Sequence, residues 1–275
     1  MLHRRILASF ALALFLTAPA LAASPFPDKN LEAAVRKVLL DAKGELTDDM
    51  LKNVYILEAT GKGIKDLTGL EKCINLASLR LDKNQIADLK PLKALVNLQS
   101  LDLSHNQVED ISPLAGLTKL QYIELTGNKV SKLDALKNLT ALASLYLSEN
   151  QISDLSPIAG LTKLSSLSVA KNKISDLSPL TKVNHLMTLD LQNNEISNIA
   201  PLKSQGELSM LMLEHNKIGD LTPLVEAVQA DAKGPKRFAP FLRLWLAGNP
   251  LPHAAANKQL ADLKAAGVRL EDLGK

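Results

Sequence analysis

Along most of the chain, apolar and polar residues alternate in a short pattern, L-x-L-x-x-N-x-(I/V), and the pattern returns every 22 residues. Its asparagines are Asn84, Asn106, Asn128, Asn150, Asn172, Asn194 and Asn216. Alternation over the first three positions predicts a short strand with both leucines on one face, because successive strand side chains point to opposite sides. The fixed period predicts a stack of similar coils, each burying its leucines against its neighbours. The asparagine falls where each coil turns away from its strand. Its amide donates and accepts at once, so the expectation is an internal ladder that satisfies the backbone of the turns.

Between ladder positions most coils carry D-(L/I)-x-P-L, with Pro91, Pro113, Pro157, Pro179, Pro201 and Pro223; Ala135 is the exception. Proline fixes φ and lacks a donor, which predicts short turns or single helical turns on the outward side. The predicted fold class is therefore an α/β solenoid. It is a curved leucine-rich-repeat array of about nine coils, with a parallel concave β-sheet and short 3-10 or turn segments on the convex side.

Both ends depart from the period. Residues 26–53 place Leu31, Val35, Val38 and Leu39 at helical spacing after Pro27-Asp28, and a second short helix is expected from Thr47. A terminal coil exposes its leucine-rich cross-section, so this segment is predicted as a helical N-terminal cap. The repeats, residues 54–249, begin with a degenerate coil in which Lys62 replaces the ladder asparagine. After Leu224 the next rung, Asn249, comes 33 residues beyond Asn216. This marks an insertion at about 225–242, helical from Val225 to Asp231 and an exposed loop from Lys233 to Arg237. Residues 250–275 are predicted as a C-terminal cap, with a helix near Ala255 to Ala266 and a short segment from Val268 to Leu270.

Apolar residues make up 46% of the chain and aromatics only 3%, so branched aliphatics must fill the core. His3, Arg4 and Arg5 precede an apolar run from Ile6 to Ala18, and Ala20-Leu21-Ala22 supplies small residues spaced for cleavage. Residues 1–22 are therefore predicted as a cleaved signal peptide, and the mature chain as periplasmic or secreted, without stable membrane insertion. Removing Arg4 and Arg5 leaves 30 basic against 29 acidic residues, which disfavours electrostatic capture of nucleic acid. Cys73 occupies the position held later by Leu95, Leu117, Leu139 and Leu161, and is expected to be a buried small hydrophobe.

The 22-residue consensus, the lead-in FPDKNLEAAVRKVLL, the transition ATGKGIKDLTGLEKCINLASL and the repeated N-x-I-x-D-(L/I)-x-P-L resemble the bacterial internalin-type leucine-rich repeats over roughly residues 26–224. The resemblance implies a rigid, curved protein-binding scaffold whose concave strands meet a partner. Similar repeats occur in cytosolic regulatory subunits of protein phosphatase 1, a setting at odds with the export signal. No immunoglobulin-like segment, sortase motif or wall-binding module follows the repeats, so a chain without the wall anchor of surface internalins is expected.

Specificity then rests on residues the leucines leave free. Between the paired leucines, successive coils present Glu58, Arg80, Asp102, Glu124, Tyr146, Ser168, Asp190, Met212 and Trp245 toward the concave side. Flanking columns add Tyr122, Met210 and Arg243 among serines and threonines. The expected partner-binding residues are Arg80, Asp102, Tyr122, Glu124, Tyr146, Asp190, Met210, Met212 and Trp245, since aromatics and methionine are frequent interface anchors. For Trp245 a second reading stands beside this one, in which Phe238 and Phe241 of the insertion fold over it as core. Asp102 and Glu124 fall about 5 Å apart, the spacing of a retaining glycosidase pair. An open sheet gives no pocket to raise one carboxyl, and Arg80 favours the ionised form of Asp102, so a solvated stripe is expected rather than catalysis. His105 and His215 share a repeat position but lie roughly 24 Å apart and cannot hold one metal. No cofactor, catalytic group or metal site is predicted. The expected protein is a monomeric, non-catalytic recognition scaffold for another protein, with glycan binding, a structural envelope role and carbohydrate hydrolysis as alternatives.

Overall fold

The computed structural model describes residues 24–234 and 236–271. The predicted signal peptide, residues 1–22, lies outside them. Ten short strands form one parallel sheet in chain order. They are β1 (Ile56–Glu58), β2 (Ser78–Arg80), β3 (Ser100–Asp102), β4 (Tyr122–Glu124), β5 (Ser144–Tyr146), β6 (Ser166–Ser168), β7 (Thr188–Asp190), β8 (Met210–Met212), β9 (Arg243–Trp245) and β10 (Arg269–Leu270). From β1 to β8 each residue pairs with the one 22 positions later, as in Leu101 with Ile123, so the sequence period is the strand register. The central residue of each of β1 to β9 is fully buried, and one continuous core runs from Phe26 to Val268. Each such leucine contributes about 1.5–3 kcal/mol by leaving water, which is how three-residue strands are held.

The ladder takes the predicted form. Asn150 Oδ1 accepts from Val130 N in the preceding coil at 2.9 Å. Its Nδ2 donates to Leu125 O of that coil at 3.0 Å and to Leu147 O of its own at 3.0 Å. The other rungs repeat these bonds, down to Asn249, which receives Ile218 N and donates to Leu213 O. Lys62 occupies the first rung position, and its amide is received by Asn84 from the next coil. The residue before each rung turns through left-handed backbone: Gly61, Lys83, His105, Gly127, Glu149, Lys171, Asn193, His215 and Gly248 all have positive φ.

On the convex side the D-x-x-P motif forms 3-10 turns, such as Ser112–Gly116 and Ser178–Lys182. The aspartate caps them: Asp110 Oδ1 accepts from Ser112 N at 2.8 Å, and Asp176 does the same for Ser178. The Ser112 amide and hydroxyl hold the Asp110 carboxyl below the usual carboxylate range, and the Ser178 hydroxyl and amide do the same for Asp176. Where Lys132 and Ala135 replace the aspartate and proline, the turn Asp134–Leu136 still forms. Proline therefore favours the turn without being required for it.

At the N-terminal end, α1 (Lys29–Val38) and α2 (Asp48–Leu51) cover the first coil. Asp28 joins cap to repeat: Oδ1 accepts from Asn30 N and Leu31 N at the start of α1, while Oδ2 accepts from Lys65 N at 2.8 Å. Burial raises its pKa, but these amide donors outweigh burial and leave it below the ordinary value. Gly69 stands where later coils place proline, because Pro25 and the buried Phe26 pack where its Cβ would lie.

The C-terminal end extends the predicted elements. The helix expected over Val225–Asp231 is α3 (Thr222–Lys233), which grows directly from the last D-x-x-P turn and carries most of the extra length. In the loop expected from Lys233 to Arg237, Lys233 instead ends α3, and the Arg237 amide is held by Asp231. Asp231 is only 6% exposed and accepts from Arg237 N, Phe238 N and Ala239 N. This carboxylate folds the insertion back onto the sheet so that β9 can pair with β8. Beyond it lie α4 (His253–Ala265) and the segment expected as part of the cap, β10, which adds a tenth strand. Among the described residues no helix is long and apolar enough to cross a membrane.

Candidate functional site

The concave face is built by register. The flanking column sets Ser100, Tyr122 and Ser144 side by side, and the middle column sets Asp102, Glu124 and Tyr146 side by side. The Tyr122 and Tyr146 rings sit diagonally across adjacent strands, with centroids 5.6 Å apart and tilted by 49°. Half-burial, together with Glu124 and Asp102 nearby, pushes the Tyr122 hydroxyl up to about 12.

Charges along the middle column are held unequally. Arg80 Nε lies 3.6 Å from Asp102 Oδ2, and Asp102 Oδ1 accepts from Ser104 N at 3.0 Å and Ser104 Oγ at 2.8 Å. Glu124 accepts from Thr126 N at 2.8 Å, and burial pushes its carboxyl above the ordinary value. Asp190 closes a polar chain, since Ser168 Oγ donates to it at 2.9 Å and contacts Ser148 Oγ at 2.7 Å.

Further along, Met210 pairs with Arg243 and Met212 with Trp245. The Arg243 guanidinium stacks 5.0 Å over the Trp245 ring while its Nε donates to Glu271 Oε1 at 2.7 Å. Trp245 stays half-exposed on the concave side. Phe238 enters the core, but Phe241 is 64% exposed, so the insertion does not bury the tryptophan beneath both rings. The strand order brings Arg80, Asp102, Tyr122, Glu124 and Tyr146 into one cluster. Met210, Met212 and Trp245 form a second, roughly three strand steps or 14 Å away from Tyr146. Asp190 lies between them.

Several contributors were less visible in the sequence. The ring of His105 lies over Gly127 of the next coil, where a Cβ would meet Nδ1 at 2.5 Å, and His215 lies over Gly248 in the same way. The recurring H-N then G-N is the signal for this pairing. Gln205 occupies the column of Leu95 and Leu117, and its Nε2 donates to Leu180 O at 2.8 Å. Cys73 is buried, and desolvation pushes its thiol up to about 12. A cavity of about 560 Å³ opens away from the concave sheet, beside Asp110, Ser131, Lys132 and Asp134. Among the described residues no cluster of metal-ligating side chains occurs.

Family descriptions of leucine-rich repeats match residues 96–138 and 140–182 (Leucine Rich repeats, 2 copies) and 184–199 (Leucine Rich repeat). Comparison with curated proteins gives no match. Among solved structures, internalin C2 from Listeria monocytogenes is 37% identical over 73% of this chain and 92% of its own, with a TM-score of 0.71. The chain belongs to the internalin-type leucine-rich-repeat family. Two more distant structures share the fold. A leucine-rich-repeat protein of Leptospira interrogans has 20% identity and a TM-score of 0.62, covering 74% of this chain and 56% of its own. The plant peptide hormone receptor RGFR1 in complex with RGF2 has 21% identity and a TM-score of 0.55, covering 66% of this chain and 30% of its own. The internalin-type repeats place the concave face here on an uninterrupted sheet, a scaffold type associated with protein recognition rather than catalysis.

Proposed function

We propose that this chain is an exported, non-catalytic recognition scaffold that binds a protein partner on its concave face. The observation that carries this reading is the contrast along one rigid sheet. The Tyr122–Tyr146 pair and the Met210–Met212–Arg243–Trp245 group project from a background of serine and threonine. Aromatic and methionine side chains on a pre-ordered surface anchor an interface with little ordering entropy to lose. Asp102 and Glu124 act in this reading as steering charges, since Asp102 already faces Arg80 and Ser104. The apolar run of residues 6–18 and the small residues after it supply the export route.

The test is affinity capture from an envelope extract with the wild-type chain and with a Tyr122→Ala, Tyr146→Ala, Met212→Ala triple variant. The expected result is a protein retained by wild type and lost by the variant while its thermal melt is preserved. Recovery of the same proteins by both would reject the concave face.

A further inference from the structure

From β4 to β7 the middle column of the concave face reads Glu124, Tyr146, Ser168, Asp190, one residue per strand. Its two ends are carboxylates. Glu124 accepts from the Thr126 amide, Asp190 accepts from Ser168 Oγ and the Gln192 amide, and neither forms an ion pair among the described residues. The same face carries further negative charge. Glu58 and Asp102 continue the middle column and Asp82 lies in a flanking one, while Arg80 is the basic residue in the three columns from β1 to β8. A concave low-dielectric wall focuses such a field outward and raises the local concentration of cations. Between the carboxylates stand the half-buried Tyr146 ring, packed against Tyr122, and the small Ser168.

The spacing restricts the occupant further. Three strand steps separate Glu124 from Asp190, about 14 Å across the sheet. An extended chain advances about 3.3 Å per residue and returns to the same side at every second residue. Four residue steps, about 13 Å, therefore cover the gap and bring residues i and i+4 to the same face, with i+2 between them.

We propose that the concave face takes an extended basic segment of a partner protein, running across the strands, with two arginine or lysine side chains four residues apart set against Glu124 and Asp190. This rests on the reading of that face as the protein-binding site. The first basic group pairs with Glu124 beside the Tyr146 ring, and the second pairs with Asp190. Steering by these charges makes association fall with added salt.

The probe is a glycine-serine decapeptide with arginines at positions 3 and 7, titrated against the intact protein by calorimetry. Comparison peptides carry citrulline at both positions, or arginines at 3 and 6, which point to opposite faces when extended. The variants are Glu124→Gln and Asp190→Asn, which retain an acceptor oxygen, with Glu109→Gln away from the face as control. The expected result is binding by the 3,7 peptide, weakened at least fivefold by either comparison peptide and by either concave variant, and unchanged by the control. Equal binding of the citrulline peptide, indifference to both concave variants, or no binding overturns the proposal. So does a chitin oligosaccharide that binds in place of the peptide. The capture experiment separates the two levels of inference. A partner lost with the Tyr122, Tyr146 and Met212 variant but kept by the Glu124→Gln, Asp190→Asn double variant leaves the face and rejects its basic ligand. A partner kept by every variant rejects the face itself.

Discussion

Replacing Asn150 with alanine removes one central rung and tests how the ladder bears load. Four backbone groups touch this amide: Val130 N, Leu125 O, Leu147 O and Ser148 O. They are not equally dependent on it. Leu125 O also receives Asn128 Nδ2, Leu147 O also receives Asn172 Nδ2, and Ser148 O also receives Gly127 N. Each carbonyl is thus shared with another donor and keeps a partner after the substitution. Val130 N has Asn150 Oδ1 as its acceptor, so the substitution orphans one buried N–H rather than four groups. The expected loss is about 1–3 kcal/mol, the cost of one unsatisfied buried polar group. Asn249→Ala should cost less, because its rung is only half-buried and water can reach Ile218 N. Urea unfolding followed by far-ultraviolet circular dichroism reads both, with a lower midpoint at unchanged slope as the signature. A loss for Asn150→Ala below about 0.5 kcal/mol, within the range of ordinary surface substitutions, would refute the rung as a bearer of stability. A loss well above the range would show that the shared carbonyls fail together.

Asp231→Ala should free the insertion, at about 1.5–3 kcal/mol for each charged hydrogen bond not replaced by water, and amide exchange should rise over residues 237–242 before the repeats respond. Burial raises the Asp231 pKa, but its amide donors outweigh this and hold it below 3.8; its contribution is therefore present above about pH 4 and fades as pH falls through the folded value. Protection over that segment that is the same in wild type and in Asp231→Ala at neutral pH would contradict the assignment. Gly127→Ala places a Cβ against His105 and leaves alanine in left-handed backbone, so a loss of about 1–2 kcal/mol is expected from the backbone alone. The His105→Ala background should recover only the contact part, and a double-mutant cycle with coupling under about 0.3 kcal/mol would rule out the ring contact. Cys73, buried with its thiol pushed up to about 12, should resist iodoacetamide at pH 8 until the protein unfolds, and rapid native labelling would show that this coil opens.

The repeat itself was legible because one sequence period fixes three physical facts together. The leucines at strand positions set which face is buried, the period sets the register of every neighbouring strand, and the asparagine sets where the backbone turns. Tyr122, Glu124 and Tyr146 could be assigned to the concave side on alternation alone, and the aspartates of the convex motif lie where a cap is needed. The helical cap was readable from the spacing of Leu31 and Val35. Its attachment was not, because Asp28 reaches across 37 positions to the Lys65 amide and no local pattern encodes that bond.

The C-terminal end shows the same division. The chain by itself determined that the period breaks after Leu224, since that follows from the order of residues. Only the tertiary structure decided how it resumes. A single buried carboxylate, Asp231, gathers three amides, returns the chain to the sheet, sends Phe238 inward and leaves Phe241 and part of Trp245 in water. Periodic burial is a local property repeated along the chain, so sequence carries it. The pairing of His105 with Gly127 and the stack of Arg243 on Trp245 depend on which coils meet and how closely, and those distances exist only once the coils are stacked.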